Sequence, residues 1–306
     1  MLAEQKVEYS NYSGGTKKRA AFRSFFCLWD LNGNYFMKKP QILLSNDDGI
    51  SSPGLWAAAN ELAKIGYVTV AAPREQHSGA GRSVPAWTDG EIKPTLLAIG
   101  DEEWTCYAVG GAPAQAVQYG IFAILKSKPD LVVSGINYGE NPATDITLSG
   151  TVGAALEAAS YGIPALAVSL QLSNDDFYGY SRETDFTTAA IFTRRFAQLL
   201  LTRKMPEDVK VLNVNVPAGA TPDTPWRMTR LGKHSYFKVF LKEPEEEGSI
   251  PRIDARRSPH PEDLADPRSD VHVLKREKFV SVTPLSLDLT SRVDLDELQR
   301  SFGSLD

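Results

Sequence analysis

From Pro40 onward, short apolar runs alternate with longer segments of helical spacing. Gln41–Leu44 is a short apolar run, and Gly54–Lys64 sets Leu55, Ala58, Ala59 and Leu62 on one helical face. Tyr67–Ala72, with its Val and Thr, predicts a strand. Pro113–Lys126 predicts a helix, Asp130–Ser134 a buried strand, Thr151–Tyr161 an Ala-rich helix and Ala165–Leu170 another strand. Asp185–Arg203 predicts the longest helix; Lys210–Val216 and Phe279–Leu285 predict two further strands. Around Asp89-Gly90 and Gly100-Asp101, the β-type runs of 86–109 predict an inserted hairpin. Short apolar strands separated by helices imply an α/β fold, a mostly parallel sheet with helices on both faces.

Two stretches fall outside this alternation. Residues 1–36 mix Ser, Gly, Asn and Tyr with basic Lys17, Lys18 and Arg19, then the apolar patch Phe22–Trp29. The patch is broken by Arg23 and Ser24 and followed by Asp30 without a small-residue cleavage site, so the expectation is a loosely attached extension rather than a secretory signal. Met37 is, by position alone, the expected biological start. The second stretch, 241–270, is rich in Pro, Glu, Arg and Asp and is expected to protrude as an oligomerisation arm. The organisation expected is therefore an extension over 1–38 and one domain over 39–306, with 241–270 as its arm.

Composition narrows the function classes. The chain has 306 residues, 42% hydrophobic and 23% charged, with 33 basic against 38 acidic residues and a net charge of −5. That mild acidity argues against a nucleic-acid polymer as partner. No apolar run reaches the roughly 18 residues that span a bilayer, so no membrane partner is expected. Cys27 and Cys106 form no CxxC pair, and His77, His234, His260 and His272 include no HxxxH pair. A reduced, cytoplasmic setting is expected.

The candidate chemistry sits at strand ends. Asn46-Asp47-Asp48-Gly49 follows the first strand directly. In open α/β sheets ligands bind outside the carboxyl ends of the strands, and adjacent carboxylates there repel unless a cation sits beside them. A solvated turn is the plain alternative for Asp-Asp-Gly by itself. Three other segments share its character: Ser78-Gly79-Ala-Gly81, Ser134-Gly-Ile-Asn137-Tyr-Gly-Glu-Asn141, and Ser149-Gly150-Thr151-Val-Gly153, which opens the Ala-rich helix. Free N–H groups and the helix dipole make that opening an anion site. Two carboxylates, a hydroxyl and an amide carbonyl are hard oxygen donors, suited to Mg²⁺, Mn²⁺ or Ca²⁺.

Together with Leu212-Asn-Val-Asn-Val-Pro217 and Ser281-Val-Thr-Pro-Leu285, these segments resemble the SurE (survival protein E) family of nucleotidases over residues 40–290. The resemblance implies a Rossmann-like core, metal-dependent hydrolysis of nucleoside 5′-monophosphates, and homodimers or homotetramers. It also implies one divalent cation per subunit, held by Asp47, Asp48, Ser78 and Asn137. Asn46, Asn137, Asn141, Ser149, Gly150 and Thr151 are then expected at the substrate phosphate, and Asp47 or Asp48 in proton transfer. Broader phosphomonoesterase or exopolyphosphatase activity, and a non-catalytic nucleotide-binding module, are the alternatives. Arg74, Gln115 and Leu148 depart from the family pattern. His77 is expected as a surface-loop residue, His234 as structural, Cys106 as a small core residue and Glu245–Glu247 as a solvated loop.

Overall fold

The computed structural model describes residues 27–29, 35–37, 39–99, 102–172, 184–242 and 250–303. The chain divides into two units, Met1–Lys38 and Lys39–Asp306. In the first, β1 (Cys27–Trp29) pairs antiparallel with β2 (Tyr35–Met37). The sequence pattern predicted no regular element there, because three-residue strands are too short to display a period. The acidic run 245–247 and the rest of the 1–36 extension lie outside the described residues.

In the second unit, nine strands of the described residues form one sheet. In chain order they are β3 (Gln41–Ser45), β4 (Tyr67–Pro73), β5 (Ile92–Ile99), β6 (Glu102–Val109), β7 (Leu131–Tyr138), β8 (Ala165–Leu170), β9 (Val211–Val216), β10 (Trp226–Met228) and, last, Val280–Leu285. A separate antiparallel hairpin joins β11 (Phe237–Lys242) to β12 (Arg252–Arg257), so the last sheet strand is β13. The sheet order is β10-β13-β9-β8-β7-β3-β4-β6-β5, with β9 through β6 mutually parallel. The predicted hairpin of 86–109 is β5–β6, and it extends the sheet edge through a parallel pairing of β6 with β4.

Side chains alternate across the sheet, and each set meets its own helices. Ile42, Leu44, Val133, Val168 and Val214 point to the layer of α1 (Pro53–Leu62) and to the later helix Thr187–Thr202. Leu43, Val132, Ala165 and Ala167 meet α2 (Pro113–Tyr119) and α3 (Gly150–Ser160). The small residues on this second face explain the Ala-rich sequence of α3: Ala154, Ala155 and Ala158 let its backbone approach Ala165 and Ala167 closely. The longest helix, Thr187–Thr202, is α4. Short helices α5 (Pro261–Ala265) and α6 (Asp270–His272) and the terminal α7 (Leu295–Phe302) complete the unit.

Two expectations need correcting. The predicted helix Pro113–Lys126 is α2 followed by a π-turn over Gly120–Ile124. The predicted strand Asp130–Ser134 continues to Tyr138, with a register shift against β8 between Ser134 and Asn137. The extra residues of such a bulge re-aim the strand end, and the Gly and Asn of this stretch read locally as a loop. In the polar 241–270 segment, Arg257, Asp263 and Asp270 are buried against this same chain. Partners invisible to composition hold them there: the Glu140 carboxylate for Arg257, and backbone N–H groups for Asp263 and Asp270.

Candidate active site

After β3 the chain runs outward to β4 and β6, then returns to β7 on the other side of β3. The carboxyl ends of β3 and β7 are thus the topological switch point, where α/β sheets open a crevice. Asn46, Asp47 and Asp48 leave β3 at this point, and Asn137 closes β7 beside them.

The turn after β3 is fixed from several sides. Trp56 Nε1 donates to Ile50 O at 2.8 Å, and Ile50 N–H to Pro73 O at 2.8 Å. Gly49 has φ of +91°, and a Cβ there would stand 3.1 Å from the Glu75 carbonyl carbon, so only glycine fits without strain. Asn46 is fully buried; its Nδ2 donates to Gly49 O at 3.0 Å, while its Oδ1 is buried with no hydrogen-bond partner among the described residues. An unserved buried acceptor at a strand-end crevice suits a cation or a ligand proton.

Asp47 is buried, and burial pushes its carboxyl up to about 6, against the pull of the Thr151 hydroxyl and the Gly150 and Thr151 backbone. Thr151 Oγ1 donates to Asp47 Oδ1 at 2.5 Å. The approach is close: a Cβ on Gly150 would lie 2.8 Å from Asp47 Cβ and 2.9 Å from its Oδ2. The helix opening that the sequence assigned to substrate phosphate therefore serves Asp47 as well. The main hydrogen bonds opposing the rise at its carboxyl come from a hydroxyl and from peptide groups. A buried carboxylate so placed, with a second carboxylate next in sequence, fits a divalent cation.

Asp48 Oδ2 accepts the Tyr138 N–H at 3.2 Å, which ties the β3 turn to the end of β7. Asn137 Nδ2 donates to Gly139 O at 2.7 Å, leaving its amide oxygen as the acceptor it can offer. Ser78 is exposed and accepts from Gln76 Nε2 at 2.7 Å. Its loop is held at both ends of the site, His77 N–H donating to Asp47 O (2.8 Å) and Gly81 N–H to Leu148 O (3.0 Å). Ser149 caps α3, its hydroxyl accepting the Val152 N–H at 3.1 Å.

Asn141 is clamped by residues to which the sequence reading gave no role, although two of them stand in the quoted segment Leu212-Asn-Val-Asn-Val-Pro217. Its N–H donates to Asn215 Oδ1 at 2.7 Å, its carbonyl accepts from Asn213 Nδ2 at 2.9 Å, and its Nδ2 reaches Ser169 Oγ at 2.9 Å. Asn213 and Asn215 are fully buried on β9. The available signal was two polar residues at alternate positions of an otherwise apolar strand, both facing α3. Glu140, next to Asn141, is held by Arg257, Tyr236 and Gln171. Burial and the Glu140 carboxylate push the Tyr236 hydroxyl far above its usual range.

The other residues weighed singly have these partners. His234 Nδ1 lies 3.2 Å from Asp263 Oδ2. Cys106 is buried and donates to Thr95 O. Arg74 pairs with Asp89 and Glu91 of the β5 approach, and Gln115 holds Ala112 N–H and Pro85 O. Leu148 is exposed.

Comparison with known proteins shows the family of the chain. The family model for survival protein SurE matches residues 42–238. The chain is 44% identical over 273 residues to a 5′-nucleotidase SurE of Methanosarcina mazei, covering 85% of this chain and 97% of the relative. It is 41% identical over 267 residues to a 5′-nucleotidase SurE of Thermococcus gammatolerans, covering 85% and 94%. A crystal structure of a SurE protein from Aquifex aeolicus superposes with a TM-score of 0.66 at 33% identity, over 86% of this chain and 98% of that one. The chain belongs to the SurE family.

Proposed function

We propose that this protein is a metal-dependent 5′-nucleotidase, hydrolysing nucleoside 5′-monophosphates to nucleoside and phosphate. The observation that carries this reading is the meeting of Asp47, Asp48 and Asn137 at the switch point, against the opening of α3. The names of the relatives support the same activity. Asp47, Asp48, Ser78 and Asn137 would hold one divalent ion per subunit, and their hard oxygens favour Mg²⁺ or Mn²⁺. Such an ion, when bound, supplies charge for the phosphoryl oxygens and lowers the pKa of a coordinated water.

The chain's own residues do the rest. Asn46, Asn141 and Ser149 offer polar groups to the phosphate, with the positive end of α3, opened by Gly150 and Thr151, behind them. Asn213 and Asn215 hold the Asn141 backbone in place, so its side chain is positioned in advance. Proton transfer falls to the Asp47–Asp48 pair. A homodimer or homotetramer is supported by exposed apolar side chains on the hairpin and its approach: Val239, Leu241, Ile250 and Ile253. No helix of the described residues is long and apolar enough to cross a membrane. A cytoplasmic site of action rests on the free Cys106 thiol.

The test is phosphate release from a panel of nucleoside 5′- and 3′-monophosphates and short polyphosphates, with EDTA and with added Mg²⁺ or Mn²⁺. Turnover of 5′-monophosphates that EDTA abolishes and metal restores is the expected result. Full turnover in EDTA, or none with any nucleotide, overturns the reading. Light scattering after deletion of residues 245–249 with their flanking strands tests the arm: a smaller species is expected.

A further inference from the structure

We propose that His234, His260 and Glu262 form a second cation site, distinct from the Asp47–Asp48 centre, for a borderline transition ion of the Zn²⁺ class. One ligand atom from each residue lies within 4.8 Å of the others. The two imidazoles stand with centroids 3.7 Å apart and planes 18° from parallel, so one ring must turn for both in-plane lone pairs to meet one ion, and His234 Nε2 stands 3.9 Å from Glu262 Oε2. Nitrogen donors in this number select Zn²⁺ over the Mg²⁺ class, which the oxygen set at Asp47 prefers.

The tautomer of His234 is arranged for this. Asp263 is buried and fixed by the N–H groups of Lys233 (2.9 Å) and His234 (3.0 Å). The same carboxylate faces His234 Nδ1 at 3.2 Å, which places the ring proton on Nδ1 and the lone pair on Nε2, toward Glu262. A carboxylate behind a histidine in this way orients metal ligands generally. His260 Nδ1 accepts the Glu262 N–H over 3.3 Å, a long bond that an ion can replace at little cost. Glu262 is exposed and free to swing inward, so three protein ligands and a water complete a tetrahedron. A bound ion would join the start of α5 to the 232–236 segment, and so add to stability in proportion to its occupancy.

Equilibrium dialysis with Zn²⁺ alone, on the full chain and in an Asp47→Asn background that weakens the first centre, reads the site directly. The expected result is one equivalent bound at micromolar free zinc in the Asp47→Asn protein. That equivalent should fall at least tenfold in affinity with His234→Ala or His260→Ala added, and less with Glu262→Gln. A rise in melting temperature with Zn²⁺ should vanish in the same variants. Circular dichroism establishes their fold, and the exposed Glu262→Gln serves as a variant with little to lose in packing. Magnesium-supported turnover of His234→Ala should stay at the wild-type level. Zinc stoichiometry unchanged by all three substitutions, or binding only at millimolar zinc, overturns the proposal.

Discussion

The Arg257 guanidinium meets the Glu140 carboxylate through Nε at 2.7 Å and Nη2 at 3.1 Å, with the arginine side chain 8% and the glutamate 0% exposed. This buried pair fastens the end of β12 to the residue before Asn141. Removing one partner of such a pair leaves the other charge unmatched in a low dielectric. Arg257→Ala is expected to cost about 3–5 kcal/mol of stability, read as the shift of a urea transition. Turnover should fall with it, since Asn141 loses its neighbour's anchor. The double variant Glu140→Gln/Arg257→Met should recover much of the stability, because no lone charge is then buried.

Asp47→Asn should abolish metal-dependent turnover while the fold persists, because one carboxylate no longer holds the ion. Its stability has a definite sign. The Asp47 carboxyl is raised to about 6 in the folded chain from 3.8. As pH climbs from 4 to 6, the unfolded chain loses this proton first, so the folded state loses stability across that window and does not regain it above. Asn never ionises. Freed of metal by EDTA, the variant should therefore exceed wild type at pH 7.5 by about 3 kcal/mol, narrowing toward pH 4. Thermal melts at the two pH values measure the difference.

Gly150→Ala adds a methyl group 2.8 Å from Asp47 Cβ. Something must shift, and the movable partner is the Asp47 side chain itself. The expected cost is about 1–3 kcal/mol, together with a raised metal requirement. Titrating turnover with Mn²⁺ would show the half-saturation point moving upward. An unchanged titration would mean that the α3 opening does not position Asp47.

Asn215→Leu keeps an apolar strand pattern but strips the Asn141 N–H of its 2.7 Å acceptor. A buried donor left alone costs about 1–3 kcal/mol. Because Asn141 is assigned to phosphate, kcat/KM should fall about tenfold or more, by the same scale of energy. Equal kinetics in the variant would separate the clamp from function.

Removal of residues 1–36 should leave turnover and melting temperature at the wild-type level. Met1–Lys38 forms a unit apart from Lys39–Asp306. A fall of several degrees would make the extension structural.

Much of the fold was written locally. Apolar runs such as Ile42–Leu44 and Leu166–Leu170 report burial on both faces, and the helical spacing between them reports the layers, so an α/β sheet follows from period alone. Asp47, Asp48 and Asn137 were likewise legible, because strand ends of such sheets are where ligands bind and because their neighbours form matching motifs. Tertiary structure decided what spans long separations. Thr151 and Asp47 lie 104 positions apart, Asn141 and Asn215 74 apart, and Arg257 and Glu140 117 apart. No local spacing encodes such pairs, and composition read 241–270 only as a polar arm, with no partner inside the chain for Arg257 or Asp270. They are buried because the folded chain supplies a partner for each, Glu140 for one and three backbone N–H groups for the other. That the opening of α3 serves Asp47 follows from the same cause, since only packing places a helix terminus against a particular carboxylate.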